Sequence, residues 1–200
     1  MEMGRPSNKE ERRLQIIGGL QIAMAEKGYE KASIQSIAKA AGLSSGLIHY
    51  HFKSKQEILV ALINSLNSAA QDRFDAFQEN ANTPTERLHA YIDAALALGA
   101  DSDATAVSAW VIISAEAVRQ EEVQKIYQDT VKVNLNRIET LIKDVKTEKS
   151  LSISNKEVKE LASMILASIE GCYQLATTSQ AVLPKGFAAR TLKYLIGNLE

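Results

Sequence analysis

The sequence predicts an all-α fold with about nine helices, in which an N-terminal three-helix head precedes a helical-bundle body. Three observations predict it. Apolar residues recur at helical spacing along nearly all of the 200 residues, and no stretch alternates convincingly with a period of two. Capping signatures open several of these segments. Glycine (10) and proline (3) are too few for a loop-rich or all-β chain, while 46% hydrophobic residues against 24% charged ones suffice for a sizeable core.

The elements follow in order. Ser7 or Asn8 can cap a first helix carrying the stripe Leu14, Ile17, Leu20, Gln21 and Met24, and Gly28 ends it as a left-handed cap. Ser33 can cap a short second helix from Ile34 to Ala41, whose Ile34, Ile37, Ala38 and Ala41 share one face, and Gly42 ends it. A third short helix runs from about Ser45 to Phe52. Ser54-Lys55-Gln56-Glu57 reads as a capping box opening a long helix to about Asn80. Thr83-Pro84-Thr85-Glu86 opens another, with proline at the first helical position, where a missing N–H costs nothing. An apolar helix follows over about Thr105 to Arg119, then a charged amphipathic one over about Glu122 to Lys146. Ser154-Asn155-Lys156-Glu157 opens a helix to about Thr177, and Pro184 opens the last, which ends near Asn198. Stretches 99–103, 147–153 and 179–185 read as loops.

Composition excludes several classes. One cysteine, Cys172, allows no internal disulfide and points to a reducing compartment. The longest uncharged runs, Ile58–Gln71 and Gly171–Pro184, reach 14 residues each, short of a membrane span of roughly 18. The opening MEMGRPSNKEERR has no apolar signal core, so the expected location is the cytoplasm, with no membrane partner. The net charge of -1 conceals an asymmetry: residues 1–56 hold nine Lys and Arg against five Asp and Glu, while the remainder is net acidic. A basic end on an acidic body suits a polyanion-binding head, although an exposed basic helix would look the same.

The informative stretch is Ser33 to Lys55, SIQSIAKAAGLSSGLIHYHFKSK. Two helices of about eight residues joined by a tight turn match a helix-turn-helix, which lays its second helix in the DNA major groove. Gly42 can adopt the positive φ that the turn requires. Ala38 permits close helix approach, and Leu43 fills the space between the helices. On a wheel of roughly 100° per residue, Ile48 and Phe52 point inward. Tyr50 lies nearly opposite, with Gly46, Leu47, His49 and His51 around the outer half. Ser33, Ser44 and Ser45 stand at helix starts, where hydroxyls and free N–H groups hold phosphates, and Lys55 can add a cation. The candidate DNA contacts are therefore Ser33, Gln35, Ser44, Ser45, Gly46, Leu47, His49, Tyr50, His51 and Lys55. The expected division is a DNA-binding domain at 1–53 and a helical body at 54–200.

Over about residues 9–60 the chain resembles the DNA-binding head of the TetR family of bacterial transcriptional repressors. The matching residues are Ser36-Ile37-Ala38-Lys39-Ala40-Ala41-Gly42-Leu43-Ser44-Ser45-Gly46 and Phe52-Lys53-Ser54-Lys55-Gln56-Glu57-Ile58-Leu59, with Gly28-Tyr29-Glu30-Lys31-Ala32-Ser33 before them. The family usually carries Tyr immediately before the Phe; His51 stands there in this chain, and Tyr50 can take over the aromatic contact. The resemblance implies a homodimer that binds a palindromic double-stranded operator and is released by a small-molecule inducer. It also implies that residues 54–200 are a ligand-binding and dimerisation domain whose last two helices pair between subunits. Ala162, Ile165, Ile169, Leu192, Leu195, Ile196 and Leu199 are candidates for that seam, the alternative being a single-subunit core. Ala109-Trp110 through Ala115-Glu116-Ala117, followed by a tyrosine-bearing helix, looks loosely like the body of choline-responsive members.

Candidate inducer contacts are Phe74, Tyr91, Trp110, Ile113, Glu116, Tyr127 and Tyr173, since pockets form between bundle helices and favour aromatic linings. Aromatics at helical spacing are more often plain core. Glu116, among apolar neighbours, is either a pocket carboxylate or a structural one. His49 and His51 are two apart, about 200° around the wheel, and cannot converge on one metal ion. His89 is isolated, and Cys172 lacks a CxxC partner and reads as buried and inert. No catalytic constellation or phosphate loop emerges, so neither enzyme activity nor a cofactor is expected. The alternatives are a helical protein-interaction module or an enzyme with no DNA contact.

Overall fold

The computed structural model describes residues 8–96, 104–184 and 186–197. These form α1 (Asn8–Lys31), α2 (Ile34–Ala41), α3 (Ser45–His51), α4 (Lys55–Gln78), α5 (Pro84–Ala95), α6 (Ala104–Ala117), α7 (Glu121–Lys149), α8 (Asn155–Thr178) and α9 (Phe187–Gly197), with a 3-10 turn at Gln180–Val182 before α9. No strand occurs among the described residues. Ser7, the 99–103 loop, Asn198 and Leu199 lie outside them.

Local chemistry explains most of the boundaries. The Thr83 hydroxyl accepts from the Glu86 amide while the Glu86 carboxylate accepts from the Thr83 amide, and Ser154 and Glu157 repeat the arrangement. Amide donors at these two helix starts hold the Glu86 and Glu157 carboxyls below the usual glutamate range. The box expected at Ser54 is offset: its hydroxyl accepts from the Glu57 amide at 3.1 Å, but the Glu57 carboxylate accepts from the Lys53 amide at 2.7 Å. Gly42 ends α2 at φ 65°, with the Leu43 amide donating back to the Ala38 carbonyl at 2.9 Å.

Gly28 ends the regular run of α1 at positive φ, as expected, but with ψ 164° rather than in the left-handed helical region, and one further turn runs to Lys31. Two boundaries differ from expectation. α7 continues past Lys146 to Lys149 and closes on Ser150 at φ 53°, where the Leu151 amide donates to the Lys146 carbonyl at 3.0 Å. Pro184 does not open the last helix, which starts at Phe187. Leu183 is extended at φ -98°, ψ 143°, as Thr83 is before Pro84, but Gly186 at φ 64° breaks helical geometry after Pro184, so the helix starts only beyond it.

The chain divides into two compact units, Met1–Asn67 with Ile112–Gln124, and Ser68–Val111 with Lys125–Glu200. The first therefore reaches beyond residue 53 and takes in the corner between α6 and α7. Its core holds Ile16, Leu20, Ile37, Ile48, Phe52, Ile58 and Leu59, all nearly inaccessible. The second unit's core joins α5, α7, α8 and α9 through Leu88, Ile92, Ile138, Ile142, Val158, Ile165 and Leu192. Lys193 of α9 pairs with both Asp93 oxygens of α5 at 2.7 Å.

Ala162, Ile165, Ile169 and Leu192, named above as seam candidates, are buried in this core, and Ile196 packs against it. The reason is period: they share the faces that α8 and α9 turn inward. The large apolar side chains exposed on these helices are Met164, Leu175, Tyr194 and Leu195.

Candidate nucleic-acid interface

Seven residues make α3, and its orientation is set from behind. Ile48 is fully inaccessible and Phe52 nearly so. Arg13 of α1 stacks its guanidinium 4.0 Å above the Phe52 ring and donates from Nη1 to the His51 carbonyl at 2.7 Å. Gln15 of the same helix donates to the Ala41 carbonyl at the end of α2, also at 2.7 Å. Both helices of the motif are thus fastened to α1 by their C-terminal carbonyls, which have no partner inside a helix.

The opposite face of α3 is open. Tyr50 is 78% exposed, His49 and Gly46 are exposed, and Ser45 and Leu47 are half-exposed. A side chain built at Gly46 would meet nothing nearer than the Ser44 hydroxyl at 4.0 Å. Ser33 and Ser44 cap their helices, accepting from the Ser36 and Leu47 amides at 3.2 Å each, and both remain exposed, as does Gln35. Lys39 and Lys53, which sequence reasoning passed over, are exposed cations within and just after the motif.

Two expected contacts are corrected. His51 is only 9% exposed, and its Nδ1 is buried without a hydrogen-bond partner in the protein. It follows Ile48 by three residues, close to one helical turn, so it shares the inward side. Lys55 is half-buried, donating from Nζ to the Tyr29 carbonyl at 2.7 Å and the Glu30 carbonyl at 3.2 Å, with its ammonium 4.2 Å above the Tyr29 ring. Its cation is spent on closing the end of α1. Burial lowers the Lys55 pKa, against the opposing pull of Glu122, Glu30 and Glu116.

The candidate inducer residues separate. Ile113 and Glu116 belong to the first unit, whereas Phe74, Tyr91, Trp110, Tyr127 and Tyr173 belong to the second. Ile113 is fully buried. Glu116 is corrected as a pocket carboxylate: it is 8% exposed, one oxygen accepts the Tyr29 amide at 3.1 Å and the other the Gln120 side-chain amide at 2.8 Å.

In the second unit Phe74 and Tyr91 are buried as an edge-to-face pair at 5.6 Å, and burial pushes the Tyr91 hydroxyl up to about 12. Tyr173 donates to the Ala95 carbonyl at 2.9 Å. Trp110 and Tyr127 are half-buried, with ring centroids 6.5 Å apart. The Tyr127 hydroxyl donates to Glu170 at 2.6 Å, and burial followed by that carboxylate raises its pKa. Glu170 was missed because nothing local marks it; only the pairing of α7 with α8 brings it to Tyr127. Among the described residues no group of three His, Cys, Asp or Glu side chains could hold a metal ion, and no helix is long and apolar enough to cross a membrane.

Comparison with known proteins agrees with this geometry. Residues 22–62 match the model of bacterial regulatory proteins of the tetR family, and residues 84–199 match the C-terminal domain of BetI-type transcriptional repressors. The HTH-type transcriptional regulator BetI of Rhizobium meliloti is 32% identical over 127 residues, a match spanning 62% of either chain. The protein of that name from Escherichia coli O17:K52:H18 is 26% identical over 189 residues and 92% of either chain. Among solved structures, a transcriptional regulator of Pseudomonas aeruginosa PAO1 superposes with a TM-score of 0.80 at 16% identity, covering 100% of this chain and 94% of that one. A regulator of Saccharomonospora viridis, solved in complex with choline, superposes with a TM-score of 0.68 at 24% identity over 94% of each chain. With the BetI-type domain matching more than half of its length behind a helix-turn-helix head, the chain belongs to the BetI-type repressors of the TetR family and is a transcriptional regulator, not an enzyme.

Proposed function

We propose that this regulator represses by seating the outer face of α3 in successive major grooves of a palindromic operator, as a homodimer, and that a small organic cation releases it. The observation that carries the reading is Tyr50, exposed on a short helix that Ile48 and Phe52 hold from behind. Gly46, Leu47 and His49 flank it as candidate base-edge contacts, while Ser33, Gln35, Ser44, Ser45, Lys39 and Lys53 supply donors and charge for phosphates. The exposed Met164, Leu175, Tyr194 and Leu195 support a subunit seam on α8 and α9, since apolar surface of this kind marks association sites.

The chemistry of Trp110, Tyr127 and Glu170 supports the inducer class. Aromatic faces attract a quaternary ammonium, and a carboxylate balances its charge. The choline held by the S. viridis regulator points the same way. A ligand shifts the equilibrium only through its different affinity for the DNA-competent and released states, typically ~1–3 kcal/mol of coupling.

Salt titration of duplex binding tests the reading. A handful of phosphate contacts implies about a thousandfold loss of affinity between ~50 and ~200 mM salt. Choline chloride should release the duplex at concentrations where equal sodium chloride does not. A flat salt titration overturns the DNA assignment; indifference to choline overturns the inducer assignment alone.

A further inference from the structure

The break in α1 leaves a backbone donor that the helix cannot satisfy. Gly28 departs from helical geometry, so the Tyr29 amide has no carbonyl one turn back, and it donates instead to Glu116, 87 residues later. The carboxylate lies so close that a Cβ on Gly28 would stand 2.8 Å from its Oε1. Gln120 fixes the second carboxylate oxygen at 2.8 Å. Lys55 holds the same turn from the other side, through the Tyr29 and Glu30 carbonyls and the Tyr29 ring. Tyr29 itself is 2% exposed. The end of α1 is thus clamped between the start of α4 and the corner joining α6 to α7, all within the first unit. Through Arg13, on the His51 carbonyl and above the Phe52 ring, α1 in turn carries α3.

We infer that Glu116 is a positioning residue for DNA binding: by accepting the Tyr29 amide it fixes the helix-turn-helix to the α6–α7 corner, and so limits the operator half-site spacings that the dimer tolerates. Glu116 touches no DNA in this scheme. The inference rests on the proposed DNA contact by α3. It assigns to a buried carboxylate the rigidity on which spacing discrimination depends: a two-fold dimer matches half-sites a set distance apart, and the looser each recognition helix is held, the wider the range of spacings it can follow. A hydrogen bond from a buried amide to a carboxylate suits that role, since breaking it strands both partners away from water.

The test uses the full chain and a palindromic duplex selected in vitro from a random library by the wild-type protein. Affinity is measured on that duplex and on versions with one or two base pairs added to or removed from its centre. Glu116→Ala is expected to bind the selected duplex about tenfold more weakly, to lose less than wild type on the altered spacings, and to speed hydrogen exchange at the Tyr29 amide. Glu116→Gln keeps a carbonyl oxygen for that amide and is expected to restore the wild-type spacing profile. Should Glu116→Ala fail to fold, Gln120→Ala, which frees the carboxylate without removing it, is expected to show the same broadening in smaller measure. A uniform loss across all spacings makes Glu116 merely structural and overturns the inference, as does an unchanged profile or unchanged exchange at Tyr29. Failure of the wild type to select any duplex overturns the DNA reading itself, and this inference with it.

Discussion

Tyr50 and His51 are neighbours with opposite fates, and the helix decides which. A step of about 100° carries the side chain from the open face of α3 to the side already held by Ile48. Tyr50 is 78% exposed; His51 is 9% exposed, with its carbonyl bonded to Arg13. Substituting Tyr50→Ala is therefore expected to weaken operator binding about tenfold, within the ~1–3 kcal/mol of a direct base contact, while thermal melting stays unchanged. Early melting of that variant would place the ring in the core. Lys55 and Glu116 make a related point. Sequence position suggested a cation for phosphate and a carboxylate for inducer, and both are occupied by the backbone around Tyr29. Their partners lie 26 and 87 residues away, beyond any local pattern.

Helix ends were legible wherever the chemistry that makes them is local. The starts of α5 and α8 follow from hydroxyl and glutamate three residues apart, and the end of α2 from Gly42. The end of α7 was not, because its left-handed residue is Ser150 rather than glycine. Both closures have the same hydrogen bonds: the next residue's amide reaches the carbonyl five residues back, at 3.0 Å for Leu151 and 2.9 Å for Leu43. A side chain at positive φ costs roughly 1–2 kcal/mol. Ser150→Gly is accordingly expected to stabilise the fold by about 1 kcal/mol, a rise in melting temperature of roughly 2–4 °C for a chain of this size. A lower melting temperature would mean that the serine side chain contributes something to this turn that glycine loses.

At the scale of the whole molecule, the aromatic residues singled out in the sequence sort into three roles. Phe74 and Tyr91 are core, Tyr173 ties α8 to the end of α5, and Trp110 and Tyr127 stay half-buried with the Tyr127 hydroxyl on Glu170. Glu170→Gln keeps the shape and a partner for the Tyr127 hydroxyl while removing the charge. It is expected to raise the choline concentration for half-release about tenfold or more, the attraction between two unit charges near a protein surface being worth up to about 4 kcal/mol. Operator affinity without choline should not change. A normal choline response in Glu170→Gln would remove Glu170 from the inducer site. The all-helical fold, the helix-turn-helix and most helix starts could be read from the order of the amino acids, because periodicity, capping and glycine turns act over a few residues. It took the folded chain to bring Lys55 and Glu116 to the backbone, four supposed seam residues into the subunit core and Glu170 to Tyr127. Those outcomes depend on which distant donor or apolar face arrives at each side chain, and burial makes every arriving polar group demand a partner.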